Sequence, residues 1–71
     1  MEINMKDVFS SHVNQIGYDA EKSELHVAWD TGKRSVYSEV PQDVAHGVMN
    51  NWSVGSAIRE QIKPNYQHRY L

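Results

Sequence analysis

Ser53, Gly55 and Ser56 open an expected helix whose first turn holds no acid, and Arg59 and Lys63 follow four residues apart. The first backbone N–H groups of a helix lack internal partners and together carry about half a positive charge. Gly55 lets another group approach the backbone, and Ser56 adds a hydroxyl. Ser56, Arg59 and Lys63 fall at i, i+3, i+7, a stripe roughly 10 Å long, the reach of a phosphate-linked nucleotide. Like charges at i, i+4 cost about 0.2–0.5 kcal/mol unless an anion sits between them, although Glu60 relieves Lys63 in part. The pattern fits an anion site. It also fits a helix capped by Ser53 with a solvated basic face.

The chain ends in NYQHRYL, where Tyr66, His68, Arg69 and Tyr70 interleave aromatic and basic groups, the combination used for base stacking and phosphate contact. The same residues are able to fold back over a sheet. Trp52 precedes the basic helix and reads as a hydrophobic staple or as an interface anchor. His12, His26, His46 and His68 show no metal-ligand spacing; His12 and His26 are candidate cross-strand neighbours, against the default of outward-facing strand residues. Neither a metal nor a cofactor is expected. With no cysteine there is no thiol nucleophile, and no serine lies in a nucleophile elbow. Asp19, Glu21 and Glu24 lie in and beside a polar turn. The expectation is a protein that is not an enzyme.

Composition narrows the partners. At 71 residues the chain is a single domain, 1–71, whose own core is marginal. Without cysteine, disulfides and thiolate zinc sites are excluded, so oligomerisation is the expected supplement. The N-terminal MEINMKDVFSSHVNQIG has acids and no apolar run, unlike a signal peptide. No stretch approaches the roughly 20 apolar residues of a membrane span, and a cytoplasmic location is expected. The net charge of -2 disfavours a dedicated duplex-binding domain. Charge is uneven, however: residues 59–71 carry three bases against Glu60, while residues 1–58 carry four bases and eight acids. The basic C-terminal segment is therefore the expected functional end.

The elements that must position these groups follow from periodicity. Residues 8–18 read as a first strand, with a bulge or bend between Val13 and Ile16 because their parity differs. Leu25, Val27 and Trp29 alternate on a second strand, Asp30-Thr31-Gly32 turns the chain, and Lys33 to Ser38 returns as a third. Val40-Pro41 starts a helix with Val44, Val48 and Met49 as its apolar stripe, ended by Asn50-Asn51. A second helix runs from about Val54 to Ile62, with Ser53 as N-cap and Val54, Ala57, Ile58, Gln61 and Ile62 facing the core. Pro64 sets its end. The predicted fold is α+β: a three-stranded antiparallel β-meander followed by two short α-helices.

An ordered set of residues resembles the KTSC domain family. It runs from Val8, Ser10-Ser11 and Val13 through Ile16-Gly17-Tyr18-Asp19 and Leu25-x-Val27-x-Trp29-x-x-Gly32. It continues with Tyr37-x-x-Val40-Pro41, Ser53-x-Gly55, Ile62-Lys63 and Tyr66. That family includes lone bacterial and phage domains and C-terminal fusions to some lysyl-tRNA synthetases, and RNA binding is suggested for it. This sequence departs from the pattern at Ser35, where the family tends to have the first tyrosine of Tyr-x-Tyr, and at Arg59, where it tends to have asparagine.

Together these readings favour a homo-oligomeric binding domain for a small nucleotide-like anionic ligand. Its expected ligand residues are Ser53, Gly55, Ser56, Arg59, Lys63, Tyr66, His68, Arg69 and Tyr70, with Trp52 at an interface. In a phage setting it would capture a host nucleotide signal. The resemblance suggests an alternative, an RNA- or tRNA-binding accessory domain. A third reading is a protein–protein adaptor or inhibitor of a host enzyme.

Overall fold

The computed structural model describes residues 5–10 and 12–71, with Phe9 described by its backbone alone. Ser11, part of the expected first strand, and the first four residues lie outside this description. Five strands form one sheet in the order β1-β2-β3-β4-β5, every neighbouring pair antiparallel. They are β1 (Lys6–Ser10), β2 (Val13–Asp19), β3 (Glu24–Trp29), β4 (Arg34–Tyr37) and β5 (His68–Tyr70). Helix α1 (Gln42–Met49) follows β4, and α2 (Val54–Ala57) runs directly into a π-helical turn over Ile58–Ile62.

The α+β class stands, but the three-stranded count is corrected to five. The expected strand 8–18 is two strands, because Ser10 pairs with Val13 across a tight turn in which His12 takes φ 71°. Turn chemistry is weak here: no glycine marks it, and histidine tolerates the left-handed region better than most residues. The fifth strand is short and polar, with no apolar alternation to announce it. It exists because β4 offers an open edge, where Ser35, Val36 and Tyr37 pair with Tyr70, Arg69 and His68.

The parity conflict resolves as expected from a bulge. Val13 pairs with Trp29 and Gln15 with Ala28, so Asn14 is the extra residue. Val13 and Ile16 consequently both face the core, 2% and 0% exposed. The later turns follow local rules. Asp19 Oδ1 accepts the Glu21 and Lys22 N–H groups, and Gly32 takes φ 90°, where a side chain would be strained.

Helices cover one face of the sheet. Ala45 and Val48 of α1, with Val54, Ala57, Ile58 and Ile62, meet Ile16, Leu25, Val27 and Tyr37 in one core. Each fully buried aliphatic side chain there is worth roughly 1.5–3 kcal/mol. Gln61, expected on the core face, is exposed. Pro41 sits one residue ahead of α1, at its N-cap, rather than in the first turn. On the other face the row Gly17, His26, Val36 and Arg69 crosses four strands. His26 is not the outward solvated residue expected, since it is 6% exposed, nor is it paired with His12. No helix among the described residues is long and apolar enough to cross a membrane.

Candidate functional site

A cleft of about 350 Å³ opens where the start of the second helix passes the β1–β2 turn. Its volume falls within the roughly 300–1,000 Å³ typical of small-ligand sites. The helix supplies Ser53, Gly55, Ser56, Arg59 and Lys63, and the sheet supplies Ser10, His12 and Trp29. The stripe Ser56, Arg59, Lys63 therefore forms one wall. The π-helical turn carries Arg59, and Lys63 caps its end, its N–H closing the turn on the Ile58 carbonyl at 2.9 Å. Among the described residues neither Arg59 nor Lys63 pairs with a carboxylate, Glu60 included.

The helix end is less open than its sequence suggests. The Gly55 N–H donates to Ser10 Oγ at 2.8 Å, and the Ser53 N–H donates to Asn51 Oδ1 at 2.8 Å. Ser53 occupies the N-cap position, and its carbonyl accepts the Ala57 N–H, but its hydroxyl makes no cap bond. The capping oxygen comes instead from Ser10, 45 residues earlier. On the far wall the Trp29 Nε1–H donates to Ser35 Oγ at 2.6 Å, and Ser35 Oγ lies 2.9 Å from His68 Nε2. His12 Nδ1 lies 3.4 Å from Asp30 Oδ2 at the exposed rim.

The model of the KTSC domain matches residues 9–66, which run from the end of β1 through the second helix. The chain belongs to the KTSC domain family. Its fold is similar to the crystal structure of a KTSC domain protein from Yersinia pestis, at a TM-score of 0.89 and 25% identity over 99% of each chain. No functionally curated protein matches it.

The KTSC tail divides among three places. Tyr66 is half-buried and packs on the core, away from the cleft. Arg69 lies on the opposite face of the sheet, where its Nη2 donates to Glu24 Oε2 at 2.9 Å. Those two residues are thus not brought to the cleft. Tyr70 is 62% exposed at the edge of the sheet, with Lys33 Nζ 5.4 Å from its ring centroid. His68 reaches the cleft only through Ser35 and Trp29. Trp52 is fully exposed and staples nothing. Sequence reasoning missed Ser10, His12 and Trp29. Trp29 was legible as a core residue but not as a wall, Ser10 only as part of the family pattern, and His12 only as a strand residue, because the turn that brings both to the cleft was read as continuous strand. Among the described residues no cluster of three or more His, Asp or Glu is placed for a metal ion.

Two groups are electrostatically perturbed. Burial holds the His26 imidazole below its ordinary value against the pull of Glu24, and burial, with Tyr70 nearby, pushes the Tyr37 phenol up. Neither lines the cleft.

Proposed function

We propose that this KTSC domain is a non-enzymatic binding module that captures a small nucleotide-like anion in the cleft. The observation that carries the reading is the convergence of Arg59 and Lys63, without carboxylate partners among the described residues, on a concave site also lined by Ser10, His12, Ser56 and an indole. Two cations and several hydroxyls suit a phosphate group, whose three oxygens accept charge-assisted hydrogen bonds. Among the described residues no acid lines the cleft, and Asp30 stands only at its rim beside His12. Capture without turnover fits a lining whose titratable groups are His12, Arg59 and Lys63.

An RNA strand is served less well. A single strand needs a basic track with successive stacking rings, whereas Arg69 is committed to Glu24 on the far face and Tyr66 to the core. The domain acts as a homo-oligomer in this reading, with the solvated Trp52 as contact residue.

A thermal-shift and calorimetry screen against AMP, GMP, cyclic nucleotides, inorganic phosphate and a short RNA tests the proposal. A nucleotide raises the melting temperature and binds with a shallow salt dependence, and Arg59→Ala or Lys63→Ala weakens it about tenfold or more. Binding that both substitutions leave unchanged overturns the site. Affinity for RNA that falls by about 0.7 log units per contacted phosphate for each tenfold rise in salt overturns the ligand class.

A further inference from the structure

We infer that Ser35 and His68, both outside the cleft, are positioning residues for Trp29 and make the cleft selective for an anion bearing a planar ring. This rests on the proposed anion site and names what lies at its other end. Trp29 has one polar atom in its side chain, Nε1, and its N–H is spent on Ser35 Oγ at 2.6 Å. Ser35 is 1% exposed, so that bond points into the interior. What the indole leaves for the cleft is carbon. A sugar hydroxyl or a phosphate oxygen finds no donor on such a surface, whereas a flat heteroaromatic ring stacks on it.

The indole is held by a chain that crosses three strands. An indole N–H can only donate, so Ser35 Oγ accepts it, and His68 Nε2 meets the same oxygen at 2.9 Å. The imidazole is flanked by the Tyr37 ring at 5.0 Å and the Tyr70 ring at 4.5 Å, the latter edge-on. β5 therefore contributes to the cleft without touching it. It anchors the serine that fixes the ring. Loss of the Ser35 hydroxyl leaves the indole N–H unmet in the interior, and the ring turns to satisfy it. The ring then abandons the stacking pose while Arg59 and Lys63 stay in place.

The test is a ratio. Calorimetry on the full chain gives Kd for AMP and for ribose 5-phosphate, which shares the phosphate and sugar but lacks the ring. The unaltered domain is expected to bind AMP about tenfold or more tightly than ribose 5-phosphate, the scale of one base–aromatic stack. Ser35→Ala and His68→Phe collapse that ratio to within about threefold by weakening AMP, Ser35→Thr restores it, and Arg59→Ala weakens both probes together. Without ligand, the Trp29 indole N–H signal in a ¹H–¹⁵N spectrum is shifted downfield and slow to exchange, and Ser35→Ala abolishes both properties. His68→Phe keeps a ring on an exposed edge strand, so it reads the ratio even if Ser35→Ala fails to fold. Equal affinities for the two probes in the unaltered domain, or a ratio insensitive to Ser35 and His68, overturn this inference and leave the anion site standing. Absence of binding by either probe overturns both.

Discussion

Replacing His26 with leucine tests how the solvent-side face of the sheet is built. His26 is 6% exposed, neither ring nitrogen has a hydrogen-bond partner among the described residues, and Glu24 Oε1 is 3.7 Å from Nε2, too far for one. Unmet desolvation of this kind costs on the order of 1–3 kcal/mol. His26→Leu, flanked by Val36 and Gly17, is therefore expected to stabilise the domain by about 1 kcal/mol at pH 8, a rise of roughly 4–8 °C in Tm.

The pH dependence is sharper. Burial lowers the folded-state value of His26 from 6.5, and Arg34 on β4 adds to this, while Glu24 on β3 and Asp19 on β2 oppose it. Arg69 on β5 faces the same group through its ion pair with Glu24. The unfolded chain thus takes up a proton near pH 6.5 that the folded chain refuses. Above that pH the residue contributes no slope. Below it the wild type loses stability relative to His26→Leu by up to about 1.4 kcal/mol per pH unit, until the folded-state value is reached. Urea unfolding of both proteins at pH 8, 7, 6 and 5 measures the difference, in which the other three histidines cancel. A difference that stays flat with pH, or one that favours the wild type at low pH because the imidazolium pairs with Glu24, refutes the reasoning.

Other expectations are more local. Ser10→Ala orphans the Gly55 N–H and should cost about 1 kcal/mol in urea unfolding, with Ser10→Thr closer to wild type. Gly32→Ala meets no atom within 4 Å yet should cost about 1–2 kcal/mol, because φ 90° strains any side chain. Gly47→Ala, equally unobstructed but inside α1, should instead gain roughly 0.5–1 kcal/mol, and equal signs for the two would contradict the backbone argument. Trp52→Ser should give a smaller particle in light scattering and a lower unfolding midpoint that no longer depends on protein concentration, and an unchanged particle size removes Trp52 from any interface.

Much of this molecule is local and was legible in the chain. Leu25, Val27 and Trp29 alternate and Gly32 turns, whereas the second helix, expected as α-helix to Ile62, turns π-helical at Ile58 and leaves Lys63 in helical geometry despite Pro64. The bulge at Asn14 was implied by parity, since no regular strand puts Val13 and Ile16 on one face. Other features depend on partners far apart in sequence. The fifth strand has no apolar period of its own and exists only because β4 has an edge to fill. The oxygen that caps the second helix comes from Ser10 rather than Ser53, because β1 happens to pass within 2.8 Å of Gly55. His26 and His68 both sit on strands, yet one is buried beside Glu24 and the other joins a hydrogen-bonded chain to Trp29. Period and turn chemistry determine which way a side chain faces within its own element. What that side chain meets is decided by the packing of elements up to 45 residues apart, and the cleft, its indole wall and its anchoring serine are products of that packing.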